Sequence, residues 1–375
     1  SKPVATKWLR ELYTLTSSKY YMQKCKTCGK QLESDEIDFC KDCFSFHDFK
    51  YSSNKRKEIR KAYSNWKNSR PKVIDLFAGC GGFSLGLEKA GFEIIGFIEN
   101  WKPAIETYRL NHPNAKHIGK DIRKIDLSNL KKYENEVDLI IGGPPCQGFS
   151  LCGKRDINDS RNNLFKEYLK VVKIINPNFI LLENVLGIST MRYSKDKLVL
   201  NEIINSLIKL GYSVTYKILD ATDYYVPQRR KRLIILGTKM NVFPKYGGKK
   251  LSVWESIKDL PEFNSDLNGH EVSNMTKETL DKIKKLKFGE KMSKNFNFSR
   301  QRLPPNKPSK TVTTVPNFIH PYYNRFLTPR ELARLQSFPD DFLFTGSRTA
   351  MIRQIGNAVP PLMAEVIGNS LRRAF

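Results

Sequence analysis

KVIDLFAGCGGFSLGLEKAGF, Lys72 to Phe92, separates into three pieces on elementary grounds. Lys72 to Phe77 is a short, largely apolar run of the kind that fills a buried parallel strand. Ala78 to Gly82 is a glycine-rich turn, where the backbone can approach a ligand closely. Phe83 to Ala90 has the spacing of an amphipathic helix, and Gly91 is placed to end it. A second strand, Glu93 to Ile98, leads to Glu99, twenty residues after Gly79, where dinucleotide-type folds put an acid on a ribose hydroxyl. The turn lacks the G-x-G-x-x-G spacing, which disfavours a nicotinamide cofactor.

Further along, VDLII (Val137 to Ile141) reads as another buried strand, and GGPPCQGFS (Gly142 to Ser150) follows it. Two glycines and two prolines make a stiff, non-helical turn at a strand's carboxyl end, where open α/β sheets bind ligands. Cys146 is thereby held on a rigid loop. A free cysteine is most often a small buried residue, but a deprotonated thiol so placed is a nucleophile. The polar stretch SLCGKRDINDSRNNLF reads as a lid leading into a helix from about Leu164 to Ile175, and NFILLENV as a strand ending in Glu183 and Asn184. SVTYKILDATDYYVPQRRKRLIILGTK gives two more strands flanking a basic turn.

The chain of 375 residues carries 64 Lys and Arg against 38 Asp and Glu, a net charge of +26, which points to a polyanionic partner. Residues 1–70 hold sixteen basic and eight acidic side chains, and residues 239–310 hold the same numbers. No apolar run reaches membrane-spanning length and no signal-peptide core appears, so the expectation is a soluble cytoplasmic protein, nucleoid-associated if prokaryotic. Seven cysteines, an odd number including two CxxC pairs, argue for a reducing compartment rather than a disulfide framework. Cys25, Cys28, Cys40 and Cys43 form two CxxC knuckles eleven residues apart, a spacing that presents four thiolates to one structural Zn²⁺. Redox-active pairs are the alternative, but those sit within a βαβ unit, and this segment has none. Tyr51 to Arg70 is basic with interleaved aromatics, and reads equally as a DNA-contacting helix or a solvated connector.

GPPCQGFS resembles the catalytic loop of the DNA cytosine-5 methyltransferases, and other stretches from Lys72 to the C-terminus match that family in order. The resemblance implies that Phe77, Gly79, Gly82 and Glu99 belong to an S-adenosylmethionine site, joined by Asp121 of GKDI near the adenine amino group, by Pro145, and by Asn357 of QIGNAVPP. Asn100 stands where the family often packs an apolar or aromatic residue on adenine, with Trp101 next. The same resemblance makes Cys146 the nucleophile at cytosine C6 and Glu183 the carboxyl group at N3. Arg230 and Arg232 fill the QxRxR motif, whose second arginine contacts the cytosine O2 and the catalytic loop. Gln147, Ser150 and Arg229 are candidate DNA contacts.

The fold expected is α/β: a Rossmann-like S-adenosylmethionine-dependent methyltransferase sheet, a smaller DNA-recognition domain and an N-terminal zinc module. The division runs 1–70 zinc-binding and basic segment, 71–238 catalytic domain, 239–325 target-recognition domain, and 326–375 C-terminal motifs returning to pack beside the first strand. LTPRE carries helix-start signals, with Thr328 as N-cap, Pro329 in the first turn and Glu331 closing a capping box. The expected partner is double-stranded DNA, acted on by a monomer, with a cognate restriction endonuclease as a candidate second partner. Two rival readings are an RNA cytosine-5 methyltransferase, which would share Cys146 and Glu183, and a zinc-containing DNA-binding protein with a degenerate methyltransferase domain.

Overall fold

The computed structural model describes residues 70–145, 164–194, 197–238, 250–293 and 300–372, all but Arg70 within the unit Pro71–Phe375. Cys25, Cys28, Cys40, Cys43, Cys146, Gln147 and Ser150 lie outside the described residues.

Seven strands form one sheet: β1 (Lys72–Leu76), β2 (Glu93–Ile98), β3 (Lys116–Gly119), β4 (Leu139–Gly142), β5 (Phe179–Asn184), β6 (Ser213–Asp220) and β7 (Lys231–Thr238). Their spatial order is β3-β2-β1-β4-β5-β7-β6. β1 to β5 run parallel, whereas β7 is antiparallel to both β5 and β6. Chain order reverses between β1 and β4, so a crevice opens at the carboxyl ends of those two strands. Because β7 runs the other way, its first residues lie at that same edge: Asn184 pairs with Leu233.

The central strands are apolar along their whole length because both faces are covered. Val73 and Leu139 point into one buried cluster, with Leu87, Met363 and Ile367. Ile74 and Ile140 point into the other, with Tyr168, Val171 and Ile203. On the first face lie α1 (Gly82–Lys89) and the C-terminal helix; on the second lie α3 (Leu164–Ile175) and α4 (Val199–Lys209). α2 (Lys102–Asn111) connects β2 to β3.

Beyond β7 the chain builds a smaller lobe from α5 (Val253–Ile257), α6 (Lys277–Lys284), the short strands β8 (Gln301–Arg302) and β9 (Phe318–Ile319), α7 (Pro329–Leu335) and α8 (Arg348–Asn357). Its core joins Val253, Ile257, Leu303, Val312, Leu327, Leu332 and Leu335 to Phe338, Phe342 and Ile355. The start of α7 carries the expected capping box: Glu331 N donates to Thr328 Oγ1 at 3.2 Å and Thr328 N to Glu331 Oε2 at 2.8 Å. Glu331 also receives both terminal nitrogens of Arg325 at 2.8 Å, so the cap doubles as a buried ion pair. The segment after α8 leads into α9 (Pro361–Arg372), which returns to the sheet. It packs on α1, and its Met363 and Ile367 share the buried cluster that Val73 of β1 enters. Gly86 lies under Pro361 and Ala364, and Gly368 lies against Leu87 and Ala90; a Cβ at either glycine would collide with the other helix. No helix among the described residues is long and apolar enough to cross a membrane.

Candidate active site

The carboxyl edge of the sheet gathers residues far apart in sequence. The glycine turn follows β1, Glu99 follows β2, Gly143 to Pro145 follow β4, and Glu183 and Asn184 end β5. Antiparallel β7 delivers Arg232 from its own beginning.

Glu183 and Arg232 meet there. Arg232 Nε lies 2.8 Å from Glu183 Oε1, and the two side chains are only 13% and 12% exposed. A shielded carboxylate and guanidinium form an oriented, charge-assisted contact, which fixes both groups at one point of the crevice. Glu183 also lies along the loop after β4: a Cβ at Gly143 would stand 3.3 Å from Glu183 Oε2. Asn184 braces the same loop by donating from Nδ2 to the Pro144 carbonyl at 3.0 Å. Strand pairing of Gly142 with Leu182 places this loop beside the end of β5, so the adjacency expected of the cysteine-bearing and glutamate-bearing strands is present. Pro145, half-buried, is the last described residue before Cys146.

Arg230, the first arginine of the QxRxR motif, faces the small lobe. It is fully buried and donates to the carbonyls of Val312 (3.2 Å), Gly356 (3.1 Å) and Ala358 (3.0 Å). Burial and the neighbouring Arg232 push its guanidinium pKa well down, with Glu183 opposing. These contacts tie the start of β7 to the small lobe, and they make Arg230 a positioning residue rather than one that touches substrate. Gln228 does the same work from the same turn, receiving Val312 N at 2.8 Å and donating to Leu335 O at 3.3 Å. Arg229, between them, is exposed and points no guanidinium at any partner among the described residues.

The other half of the crevice is built round Glu99. Its carboxylate accepts from the backbone N–H groups of Gly79 (2.9 Å), Asn100 (2.9 Å) and Trp101 (2.8 Å), which holds the turns after β1 and β2 together. Phe77 adopts a left-handed backbone at φ 62°, strained for a residue with a side chain and typical of ligand-holding turns. Gly79, at φ 57°, has nothing within 4 Å of the point a Cβ would occupy, so the turn is open on that side. An open glycine turn beside a carboxylate with lone pairs to spare fits an adenosine-bearing ligand. Gly82 is closed instead: Val359 O and Phe338 fill the space round it, so it serves helix packing. Cys80, buried between these glycines, has its thiol pKa pushed up to about 12 by burial, which makes it inert. Asn100 is exposed at the rim. Asp121 caps a short turn and is held by Arg123 at 2.9 and 2.7 Å, and this hydrogen-bonded contact lowers its pKa. Asn357, ending α8, is exposed.

With that geometry in hand, residues 71–373 match the family described as C-5 cytosine-specific DNA methylase. The chain belongs to this family. It is 37% identical over 368 residues to the type II methyltransferase M.DdeI of Desulfomicrobium norvegicum, covering 81% of this chain and 89% of that one. It is 39% identical over 321 residues to M1.HphI of Haemophilus parahaemolyticus, covering 80% and 86%. Among solved structures, an E. coli prophage protein described as a DNA modification methyltransferase superposes with TM-score 0.70 at 30% identity, over 81% of this chain and 99% of that one. DNMT2 of Spodoptera frugiperda, at 19% identity and TM-score 0.59, shares the fold. The chain is thus a DNA cytosine methyltransferase with a Rossmann-like sheet, and the first seventy residues fall outside the family match.

In this methylase several groups that organise the crevice carry no signal readable in isolation. Asn184 and the buried trio Asp75, Ser84 and Tyr108 are examples. Ser84 Oγ donates to Asp75 Oδ2 at 2.7 Å and lies 2.7 Å from Tyr108 OH, bracing the glycine turn from beneath. Asn184 was visible only as the residue following a matched glutamate.

Proposed function

We propose that this methylase transfers a methyl group from S-adenosylmethionine to C5 of a cytosine in a specific duplex DNA site, through a covalent bond from Cys146. The observation that carries the reading is the shielded Glu183–Arg232 pair, at the end of the strand adjacent to the one that leads into the Cys146 loop.

C5 of cytosine is a poor nucleophile within the aromatic ring. A thiolate from Cys146 adding at C6 converts the ring to an enamine, whose C5 carries the electron pair needed for attack. Glu183 serves at N3, donating a proton or a hydrogen bond as negative charge develops there. Arg232 orients Glu183 through Nε, donates from Nη1 to the Lys231 carbonyl, and has Nη2 for the O2 side of the base. S-adenosylmethionine, when bound, supplies an electrophilic methyl group, and Glu99 with the Gly79 turn would hold its adenosine, aided by Phe77, Asp121, Pro145 and Asn357. A free thiol ionises near ~8.5, so local positive charge, with Arg232 as the candidate, would favour the Cys146 thiolate. Loss of the C5 proton and expulsion of the Cys146 thiolate then restore the aromatic ring.

The reacting atoms are hidden in stacked DNA, so the nucleotide leaves the helix to reach the crevice, at a cost of a few kcal/mol. The net charge of +26 supports the phosphate contacts that offset this. Arg229, Gln147 and Ser150 are assigned to contacts round the extruded base. Residues 239–325 read the flanking sequence. The relatives' type II names support a role within a restriction-modification system. The spacing of Cys25, Cys28, Cys40 and Cys43 supports a structural Zn²⁺; elemental analysis of the purified chain finding no zinc would remove that assignment.

The direct test is transfer of labelled methyl groups from S-adenosylmethionine to duplex DNA and, in parallel, to tRNA. The expected result is label in DNA alone, abolished by Cys146→Ala. Label in tRNA alone would replace DNA with RNA as the substrate.

A further inference from the structure

Trp101 caps α2 without a side-chain hydrogen bond, yet its ring is not free. The guanidinium of Arg353, on α8, lies 4.4 Å from the centre of that ring. Arg353 is exposed, and among the described residues it has no hydrogen-bond or ion-pair partner. A long, solvated side chain held over an aromatic face at this distance is a cation–π contact, which offsets the rotamer entropy of holding it there.

The place of the contact gives it a role. Trp101 N is one of three N–H groups that hold the Glu99 carboxylate, and the Glu99 carbonyl is itself met by His117 Nε2 at 3.1 Å. α8 and the residues after it also back the glycine turn after β1, where Cys80 Sγ approaches Gln354 O at 3.7 Å and Gly82 lies under Val359. The chain just before α8 is fastened to α2, with Thr345 N donating to Thr107 Oγ1 at 2.9 Å and Thr345 Oγ1 to Pro103 O at 3.1 Å. One C-terminal segment therefore grips both turns at this side of the crevice, and Arg353 is its contact with the turn that bears Glu99. The guanidinium covers the ring face that it approaches, so that face serves the clasp.

We propose that Arg353 is a positioning residue for S-adenosylmethionine: by stacking on Trp101 it fixes the turn that presents Glu99, and cofactor affinity depends on this clasp. The inference rests on the reading that Glu99 holds the ribose.

The test uses the full chain with Arg353→Gln, Arg353→Lys, Trp101→Leu, the double variant and Glu99→Ala. Arg353→Gln is expected to raise the KM and dissociation constant for S-adenosylmethionine about three-fold, the size of an exposed cation–π contact, with kcat and DNA affinity unchanged. Arg353→Lys keeps the cation and recovers most of the loss. In the Trp101→Leu background Arg353→Gln adds nothing, since a pair that acts as a unit is not additive. Intrinsic fluorescence gives a readout that general loosening would not reproduce: Arg353→Gln shifts tryptophan emission in the parent chain and not in Trp101→Leu. Unchanged cofactor affinity in Arg353→Gln, or an equal loss with and without Trp101, overturns the proposal while Glu99→Ala still weakens binding. If Glu99→Ala leaves binding intact, the ribose reading falls and the Arg353 proposal falls with it.

Discussion

Asp75 sits fully buried in β1 directly beneath the cofactor turn, and its chemistry has a measurable consequence. Desolvation raises its pKa from the ordinary carboxylate range to about 8; the Ser84 hydrogen bond opposes this and Glu99 adds repulsion. In the unfolded chain the same carboxyl ionises near ~3.9. Between those two values the folded protein binds one proton more than the unfolded chain, so this group's stabilising contribution, full at low pH, is lost as pH rises through the window. Asp75→Asn keeps an acceptor for Ser84 and removes the titration. Urea denaturation across about pH 4 to pH 8 is expected to show a smaller decline in stability for the variant than for the parent. Identical pH profiles would mean that Asp75 is ionised throughout. Single residues were legible in the sequence where a motif named them, as with Glu99, Glu183 and Arg232. Arg230 and Arg232 carry the same side chain two residues apart in QRRKR, so their different surroundings were not legible from those letters. What separates them is the carbonyl trio at Val312, Gly356 and Ala358, supplied by chain more than eighty residues away.

At the scale of elements, local physics set most boundaries. The strand, glycine turn and helix of Lys72 to Phe92 appear as read, with α1 beginning at Gly82 and ending at Lys89. α3 spans Leu164–Ile175, as its apolar spacing required. The α7 capping box is a purely local device, so the letters of LTPRE sufficed to find it. The short helices α5 and α6 were missed: α5 has a capping box of its own, Ser252 with Glu255, but only five residues behind it, and α6 has only Leu280 and Ile283 to display a period. Their stability comes from Val253, Ile257 and Ile283 entering cores assembled from distant chain. The partner of α9 was likewise a tertiary matter: Gly86 and Gly368 let it approach α1 at close quarters, and neither glycine announces its partner from its own neighbourhood.

For the whole molecule, the reversal of strand order at β1 and β4 and the antiparallel entry of β7 explain why the glycine turn after β1, the start of the loop after β4, Glu183 and Arg232 share one edge. The parallel half of that arrangement was implicit in doubly covered apolar strands; the direction of β7 was not, since a strand's letters do not encode which neighbour it pairs with. The central claim is that this edge forms a covalent bond to cytosine. Its most direct measurement is a trap. The protein is incubated with S-adenosylmethionine and duplexes carrying 5-fluorocytosine within randomised flanks, and denaturation-resistant adducts are collected. Fluorine at C5 cannot leave as a proton, so the reaction stalls with Cys146 bonded to C6. The account predicts an adduct with the parent chain, none with Cys146→Ser, and a consensus flanking sequence in the trapped DNA. An adduct that persists in Cys146→Ser, or none on duplex DNA while S-adenosylmethionine still binds, would contradict it.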